Sequence, residues 1–413
     1  MKKVIAGVVF LFLTGTAAAE SVGEGLTLKE CYGLALQQSE SIAIQKEYIK
    51  ETEGQMLQAL STALPHIAFA YSEKWQDQPG NRSLGGSTPE GKFTFTQPLF
   101  TGFKEFAAVG ASKHVGRQRV QELKRAQELL LTDVADAFYF YLSYQQDLQV
   151  LEDTQNILFE RVGELKKRQI IGKSRLSEVA SAEAKLRRNE AAIEVSKAQK
   201  EVAGQLVEFL IGRSFDRLVE EDLLSEDFQL QSLYLKADGR ADVVAARESF
   251  AAYKNNITSA RSGFLPTVTL SGNSYTKRAD AYEDNGWDAT LAVNVPLFNG
   301  LNDVGQVAQA RSQANAADFR LSQTKRKALL QIRNAYTQWS SAQLKLKAFD
   351  RAALASEKNY QLQAEDFQKS LVSNLDVLQA LEDLQSARRD VVAAKSNAAR
   401  CYWLVKVATG GIK

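Results

Sequence analysis

Two cysteines, two histidines and six prolines in 413 residues leave little of what usually carries chemistry or breaks helices. Cys31 and Cys401 lie near opposite ends of the chain, and two cysteines do not make a disulfide scaffold. His66 and His114 stand isolated, with no neighbours at metal-ligand spacing. No phosphate-binding glycine loop or nucleophile–base pairing stands out. These absences predict a protein that is not an enzyme and uses no metal or cofactor. A basic excess is missing too. The formal net charge is +2, whereas a nucleic-acid binder needs a basic stripe to displace counterions. After the first residues no continuous apolar run of about 20 residues occurs, so no membrane-spanning helix is expected there.

What is present begins with MKKVIAGVVFLFLTGTAAA, which reads as a secretory signal over residues 1–19. Lys2 and Lys3 form the basic start, residues 4–13 the apolar core and Ala17, Ala18 and Ala19 a small-residue cleavage site. No lipobox cysteine sits there. Loss of the two lysines leaves a neutral mature chain. An exported protein of bacterial type is implied, destined for periplasm, outer membrane or medium.

The mature chain repeats itself. TQPLFTGF starts at residue 96 and NVPLFNGL at residue 294, so Pro98 and Pro296 are 198 positions apart. The same offset carries residues 134–138 onto 332–336, and Gly172, Glu178 and Val179 onto Ser370, Asp376 and Val377. Upstream the offset becomes 201: Leu64-Pro65 meets Leu265-Pro266. The step of three lies between the two marks, where a loop varies in length. Residues 103–210 and 301–408 contain no proline and are rich in helix formers. A helix over residues 103–168 would run roughly 100 Å, too long for an ordinary core. In the last helix Val377, Leu381, Leu384, Val391, Ala398 and Val405 make a coiled-coil-like seam, which Arg388, Lys395 and Tyr402 interrupt.

Between each Leu-Pro and Pro-Leu-Phe mark lie two short alternating stretches. Ile67, Phe69 and Tyr71 oppose Ala68, Ala70 and Ser72; Leu291, Val293 and Val295 oppose Thr290, Ala292 and Asn294. Period two with one apolar and one small or polar face suits a transmembrane β-strand, lipid outside and water inside. Residues 76–90 and 277–286 read as turn-rich loops. Trp75, Tyr275, Tyr282 and Trp287 fall near them, where an aromatic girdle would sit. Pro98 and Pro296 should end strands, because proline cannot donate to a ladder. Gly102 and Gly300 should relax the turn from strand to helix. Leu-Pro should stop the preceding helix.

Four strands cannot close a barrel, and lipid-exposed sheet edges are prohibitive. Two copies would give eight strands, and three would give twelve and a lumen. The small inward residues favour the wet interior and hence three.

The doubled marks QPLFTGF and VPLFNGL, the paired Leu-Pro steps and residues 370–380 (SLVSNLDVLQA) together resemble the TolC family of outer-membrane efflux and secretion ducts. The tip stretch is close to that family's Gly-x-x-Ser-x-x-Asp-Val-Leu-x-Ala pattern, with Ser370 at the glycine position. The likeness covers the whole mature chain. It implies an α+β, mainly helical fold: a long antiparallel α-helical coiled-coil tunnel plus a four-strand contribution to a trimeric 12-stranded transmembrane β-barrel, built from an internal two-fold repeat. The expected division is a signal peptide (1–19), a first repeat (20–210, hairpin about 66–99), an equatorial belt segment (211–239) and a second repeat (240–413, hairpin about 266–297). Residues 20–38 join the belt.

The resemblance also implies a homotrimer in outer-membrane lipid that extends into the periplasm. Its partners would be a periplasmic adaptor (membrane fusion) protein and an inner-membrane pump of RND, ABC or MFS type, serving efflux or type I secretion. Asp376 would ring the periplasmic entrance; the second acidic position is Gln379 here, and the tyrosine expected before the tip is Phe367. A plain helix-start role for Asp376 is the alternative. Gly172, Lys173, Ser174 and Arg175, with Ser370, Leu371, Val372 and Ser373, would be adaptor-contact tips. Near the belt Cys31 and Cys401 would come close enough for a disulfide in an oxidising compartment; two unpaired apolar residues are the other reading. A periplasmic coiled-coil protein without a pore would explain the helices but not the paired strands. A secreted adhesive or autotransported protein would need more strands or a passenger domain.

Overall fold

The computed structural model describes residues 25–75, 87–220, 227–278 and 286–411. The expected signal peptide, Tyr282 and most of the two expected loops lie outside the described residues.

Each half follows one order. In the first, α1 (Leu28–Gln38) and α2 (Glu40–Ser61) lead into β1 (His66–Trp75) and β2 (Ser87–Thr101), then α3 (Lys104–Ile170) and α4 (Leu176–Ile211). In the second, α5 (Leu230–Leu235) and α6 (Ala241–Arg261) lead into β3 (Thr267–Lys277) and β4 (Trp287–Asn294), then α7 (Asn302–Gln368) and α8 (Asn374–Ala408). Helices α3 and α7 are both 67 residues long, about 100 Å at 1.5 Å per residue. Neither holds a proline, and alanine and unbranched side chains dominate both. Among the described residues no helix is long and apolar enough to cross a membrane.

The strands form one antiparallel sheet in the order β1-β2-β3-β4. Phe69 pairs with Phe93, Val268 with Val293 and Leu270 with Leu291, so one face is apolar. Lys92 pairs with Tyr275 and Asn273 with Asp288 on the other face. Every residue of β1 is exposed in the single chain. Trp75 and Trp287 are exposed at the far strand ends on the apolar face. Tyr275 departs from the expected girdle. Its hydroxyl donates to Asp288 at 2.6 Å on the polar face, where Asn273 also binds Asp288 at 2.8 Å.

Pro98 corrects a second expectation. It does not end its strand: β2 continues to Thr101 with Pro98 opposite Thr269, and the register shifts between Pro98 and Phe100. The bulge at Leu99 absorbs the missing donor. The second mark behaves as expected, since β4 stops at Asn294, before Pro296. Leu265, just before Pro266, is extended at φ −104°, ψ 150°.

At mid-height Leu26 makes a parallel bridge with Leu218, through Leu26 N–H to the Arg217 carbonyl at 2.8 Å and Val219 N–H to the Leu26 carbonyl at 2.9 Å. Fully buried Arg240 ties the end of α8 to this level. It binds Asp242 at 2.6 Å, Gln331 at 2.7 Å and the Ala408 carbonyl at 3.1 Å. Tyr402, expected as a polar gap in the α8 seam, is buried against Phe228, with ring centroids 5.4 Å apart. Arg388 and Lys395 reach outward instead, to Glu357 at 2.9 Å and Glu220 at 2.7 Å. His114 is not isolated either: its Nδ1 lies 2.7 Å from Glu248 of α6.

The disulfide is not formed. Cys31 and Cys401 are both free and buried, in separate packed clusters: Cys31 among Leu28, Phe138 and Val207, and Cys401 beside Ala342 and Ala398. Burial pushes the Cys31 thiol up to about 11 and raises Cys401 as well, so both are poor nucleophiles.

Candidate functional site

The turns joining α3 to α4 and α7 to α8 lie together, because one apolar cluster spans all four helices there. It gathers Leu165 of α3, Val179 and Ala182 of α4, Phe367 of α7 and Val377 and Leu378 of α8. The two turns are copies. Gly172 N–H donates to the Gln169 carbonyl and Lys173 N–H to Arg168, at 2.9 and 2.8 Å. Ser370 N–H donates to Phe367 and Leu371 N–H to Asp366, at 3.0 and 2.9 Å. In both, a left-handed residue closes the helix and satisfies its last carbonyls.

The next helix starts are also matched. Glu178 accepts from the Ser174 hydroxyl at 2.6 Å and the Arg175 N–H at 2.9 Å. Asp376 accepts from the Ser373 hydroxyl at 2.6 Å and the Ser373 N–H at 2.9 Å, while Asp376 N–H returns a bond to Ser373 Oγ at 3.4 Å. This is a reciprocal capping box. The Ser373 hydroxyl, then its N–H, holds the Asp376 carboxyl below the usual range, and Ser174 and Arg175 do the same for Glu178. Asp376 is therefore the exposed, ionised third residue of a helix start that Ser373 caps. Gln379 is exposed one turn on and donates to Asp383 at 3.0 Å.

Phe367 has a role that its lack of a hydroxyl conceals. The ring is buried between two guanidinium groups, Arg161 and Arg168, each 4.5 Å from its centroid. Glu164 lies between them on α3 and binds both, at 3.0 Å each. The carboxylate holds the two cations over the ring, joining α3 to α7 by cation–π attraction.

Further from the tip, α3, α4 and α8 enclose a cleft of about 610 Å³. Asp147 anchors it, accepting from Arg389 at 2.6 and 3.1 Å and from Ser196 at 3.1 Å. Buried Asn189 donates to the Leu151 carbonyl at 2.9 Å and accepts from Gln385 at 2.7 Å. Lys185 and Glu382 close one side at 2.5 Å. Sequence reasoning missed this polar ladder. The repeat offers no signal for it, since the positions matching Asp147 and Arg389 are Lys345 and Ala191. The spacing of Arg161, Glu164 and Arg168 on one helix face was legible; their aromatic target was not.

At the other end of the long helices, Gly102 and Phe103 take left-handed backbones, φ 68° and 66°, as do Gly300 and Leu301 at 59° and 68°. The turn therefore spends two left-handed residues where sequence analysis expected one. A β-carbon at Gly102 would lie 2.9 Å from the Ser262 carbonyl and from Leu265 Cβ, so the close approach demands glycine.

The pattern of a family described as outer membrane efflux protein matches residues 31–213 and 233–411. Outer membrane protein TolC of Vibrio cholerae serotype O1 is 25% identical over 324 residues, which are 73% of this chain and 72% of that one. Alkaline protease secretion protein AprF of Pseudomonas aeruginosa is 23% identical over 404 residues, 90% of this chain and 81% of that one. The crystal structure of the outer membrane protein VceC from Vibrio cholerae has the same fold, with a TM-score of 0.81 at 23% identity over 93% of this chain and 96% of that one.

Proposed function

The chain belongs to the outer membrane efflux protein family, and from that footing we propose how it assembles, what it meets and what its tip does. It is an outer-membrane duct and not an enzyme. It serves efflux or type I secretion, carrying substrates passively from an inner-membrane pump past the periplasm. That membership disposes of the poreless coiled-coil reading.

The observation that carries the assembly is the four-stranded sheet. One of its faces is apolar and exposed, and β1 and β4 are both left as edges. Such edges are untenable in lipid, where each unpaired backbone group costs several kcal/mol. Three copies give twelve strands and a wet lumen lined by Thr94, Ser271 and Thr290. The helices below then form the tunnel wall. Repeats 20–210 and 240–413, joined by the 211–239 belt segment, supply equal shares of barrel and tunnel.

At the tip, three Asp376 carboxylates face a narrowing entrance and disfavour anions. Gln379 adds no charge. The turns at Gly172–Arg175 and Ser370–Ser373 meet the periplasmic adaptor, whose pump selects the cargo. Extraction of the outer membrane in mild detergent tests the assembly. The expected result is a trimer that collapses to monomer on heating; a water-soluble monomer without detergent overturns it.

A further inference from the structure

We propose that a groove between α2 and α3 binds a single-chain anionic amphiphile, its acid group on Lys113 and Arg117 and its alkyl chain along the groove floor. The site lies within one copy of the chain and does not depend on the assembly proposed above.

Two helix faces make the groove. Ile49, Thr52 and Met56 on α2, and Gly116 and Val120 on α3, recur at three- and four-residue spacing, so each set shares one face. They border about 350 Å³, within the range of small-molecule sites. Thr52 turns its hydroxyl back onto its own helix, to the Ile49 carbonyl at 2.7 Å and the Tyr48 carbonyl at 3.0 Å, which leaves that wall apolar. At Gly116 a β-carbon would meet nothing within 4 Å, so α3 stands away from α2 there.

The internal repeat shows what closure would take. Between α6 and α7 the matching positions are Phe250 and Tyr253 for Ile49 and Thr52, and buried Ala314 for Gly116. The first repeat carries the smaller side chain at all three, and the space stays open.

Charge decides the occupant. Lys113 and Arg117 are exposed one turn apart on α3, and neither is in an ion pair among the described residues. Like charges at that spacing repel, and an acid group held between them removes the repulsion. Glu53 is the one acid lining the groove, so the rim keeps an excess of positive charge. The second repeat lacks the basic pair, with Arg311 at the first position and Asn315 at the second. From Ile49 to Met56 the groove runs about 10 Å along α2. A groove of that size takes one alkyl chain, not the two of a phospholipid.

Photolabelling of the purified protein in phosphatidylcholine nanodiscs tests the site. The probe is dodecanoate carrying a diazirine at its chain end, and the readout is label on peptides containing residues 49–56 and 112–121. Label should fall there, and plain dodecanoate should displace it at about one-tenth the concentration of dodecanol, which has the chain without the charge. Lys113→Gln/Arg117→Gln should abolish that preference, and Glu53→Gln should widen it. Thr52→Tyr/Gly116→Ala, which installs the second repeat's residues, should strip the groove label while label on the strands stays. Should that variant fail to insert, Gly116→Leu fills the same space and gives the same readout. A groove without label, label retained in the filled variants, or equal displacement by dodecanoate and dodecanol overturns the site. Displacement by phosphatidylglycerol and not by dodecanoate makes the occupant a membrane lipid and overturns the single-chain assignment. A monomer that takes the label overturns the trimer and leaves this site standing.

Discussion

Gly172 and Ser370 hold the same left-handed backbone, φ 76° and 62°, at the ends of two 67-residue helices. Glycine takes that conformation freely, and a residue with a β-carbon takes it at about 1–2 kcal/mol. The second turn is thus strained where the first is not. We expect Ser370→Gly to slow amide exchange at Leu371, whose N–H closes the turn onto Asp366, by about fivefold for 1 kcal/mol. Gly172→Ser should speed exchange at Lys173. Unchanged rates in both variants would mean that the turn carries no strain.

The clamp on Phe367 should resist opening of the tip. Phe367→Leu keeps much of the packing but loses both cation–π contacts, worth about 1 kcal/mol each. Larger and more frequent conductance steps in planar bilayers are expected, with Phe367→Tyr close to the parent. Equal conductance in Phe367→Leu would show that the guanidinium groups only decorate the ring.

Asp376 carries a prediction on selectivity and one on pH. Asp376→Asn should weaken cation preference in bilayer recordings; an unchanged reversal potential would leave it a cap alone. Its folded pKa is depressed, so the capping contribution is fully present above the ordinary carboxylate value. It is lost as pH falls below that value through the folded one. Tip amides should therefore stay protected at pH 6 and loosen only in stronger acid. Loosening already between pH 7 and 6 would contradict that sign.

Asp147 and Arg389 should behave as a unit. Without Arg389 the buried Asp147 carboxylate is orphaned, but it keeps the Ser196 hydroxyl, and the cleft left by the partly exposed arginine admits water, which moderates the penalty. Arg389→Leu should cost about 1–2 kcal/mol, and adding Asp147→Leu should recover part of it. Denaturation midpoints of the single and double variants measure the coupling; simple additivity would dissolve the pair.

Arg240 presents the sterner case, with its side chain wholly buried. Arg240→Met leaves Asp242 and Gln331 short of donors, together with the carbonyl end of α8. A loss of about 3–5 kcal/mol is expected, read as proteolytic release of the C-terminal residues. A variant as resistant as the parent would make the arginine dispensable.

The doubled plan, the long helices and the four alternating strands were legible along the chain. Those features rest on local periodicity and on proline and glycine, which act within a few residues. The turns at Gly172 and Ser370 and the junctions at Gly102 and Gly300 were legible for the same reason. Tertiary structure alone decided that Pro98 stays inside its strand, because β3 lies alongside to set a bulge, and that the cysteines pack into separate clusters. It also decided that Phe367 meets two arginines and Asp147 meets Arg389. Such meetings depend on how neighbouring helices are rotated and staggered against one another, and no short-range pattern along the chain carries that angle.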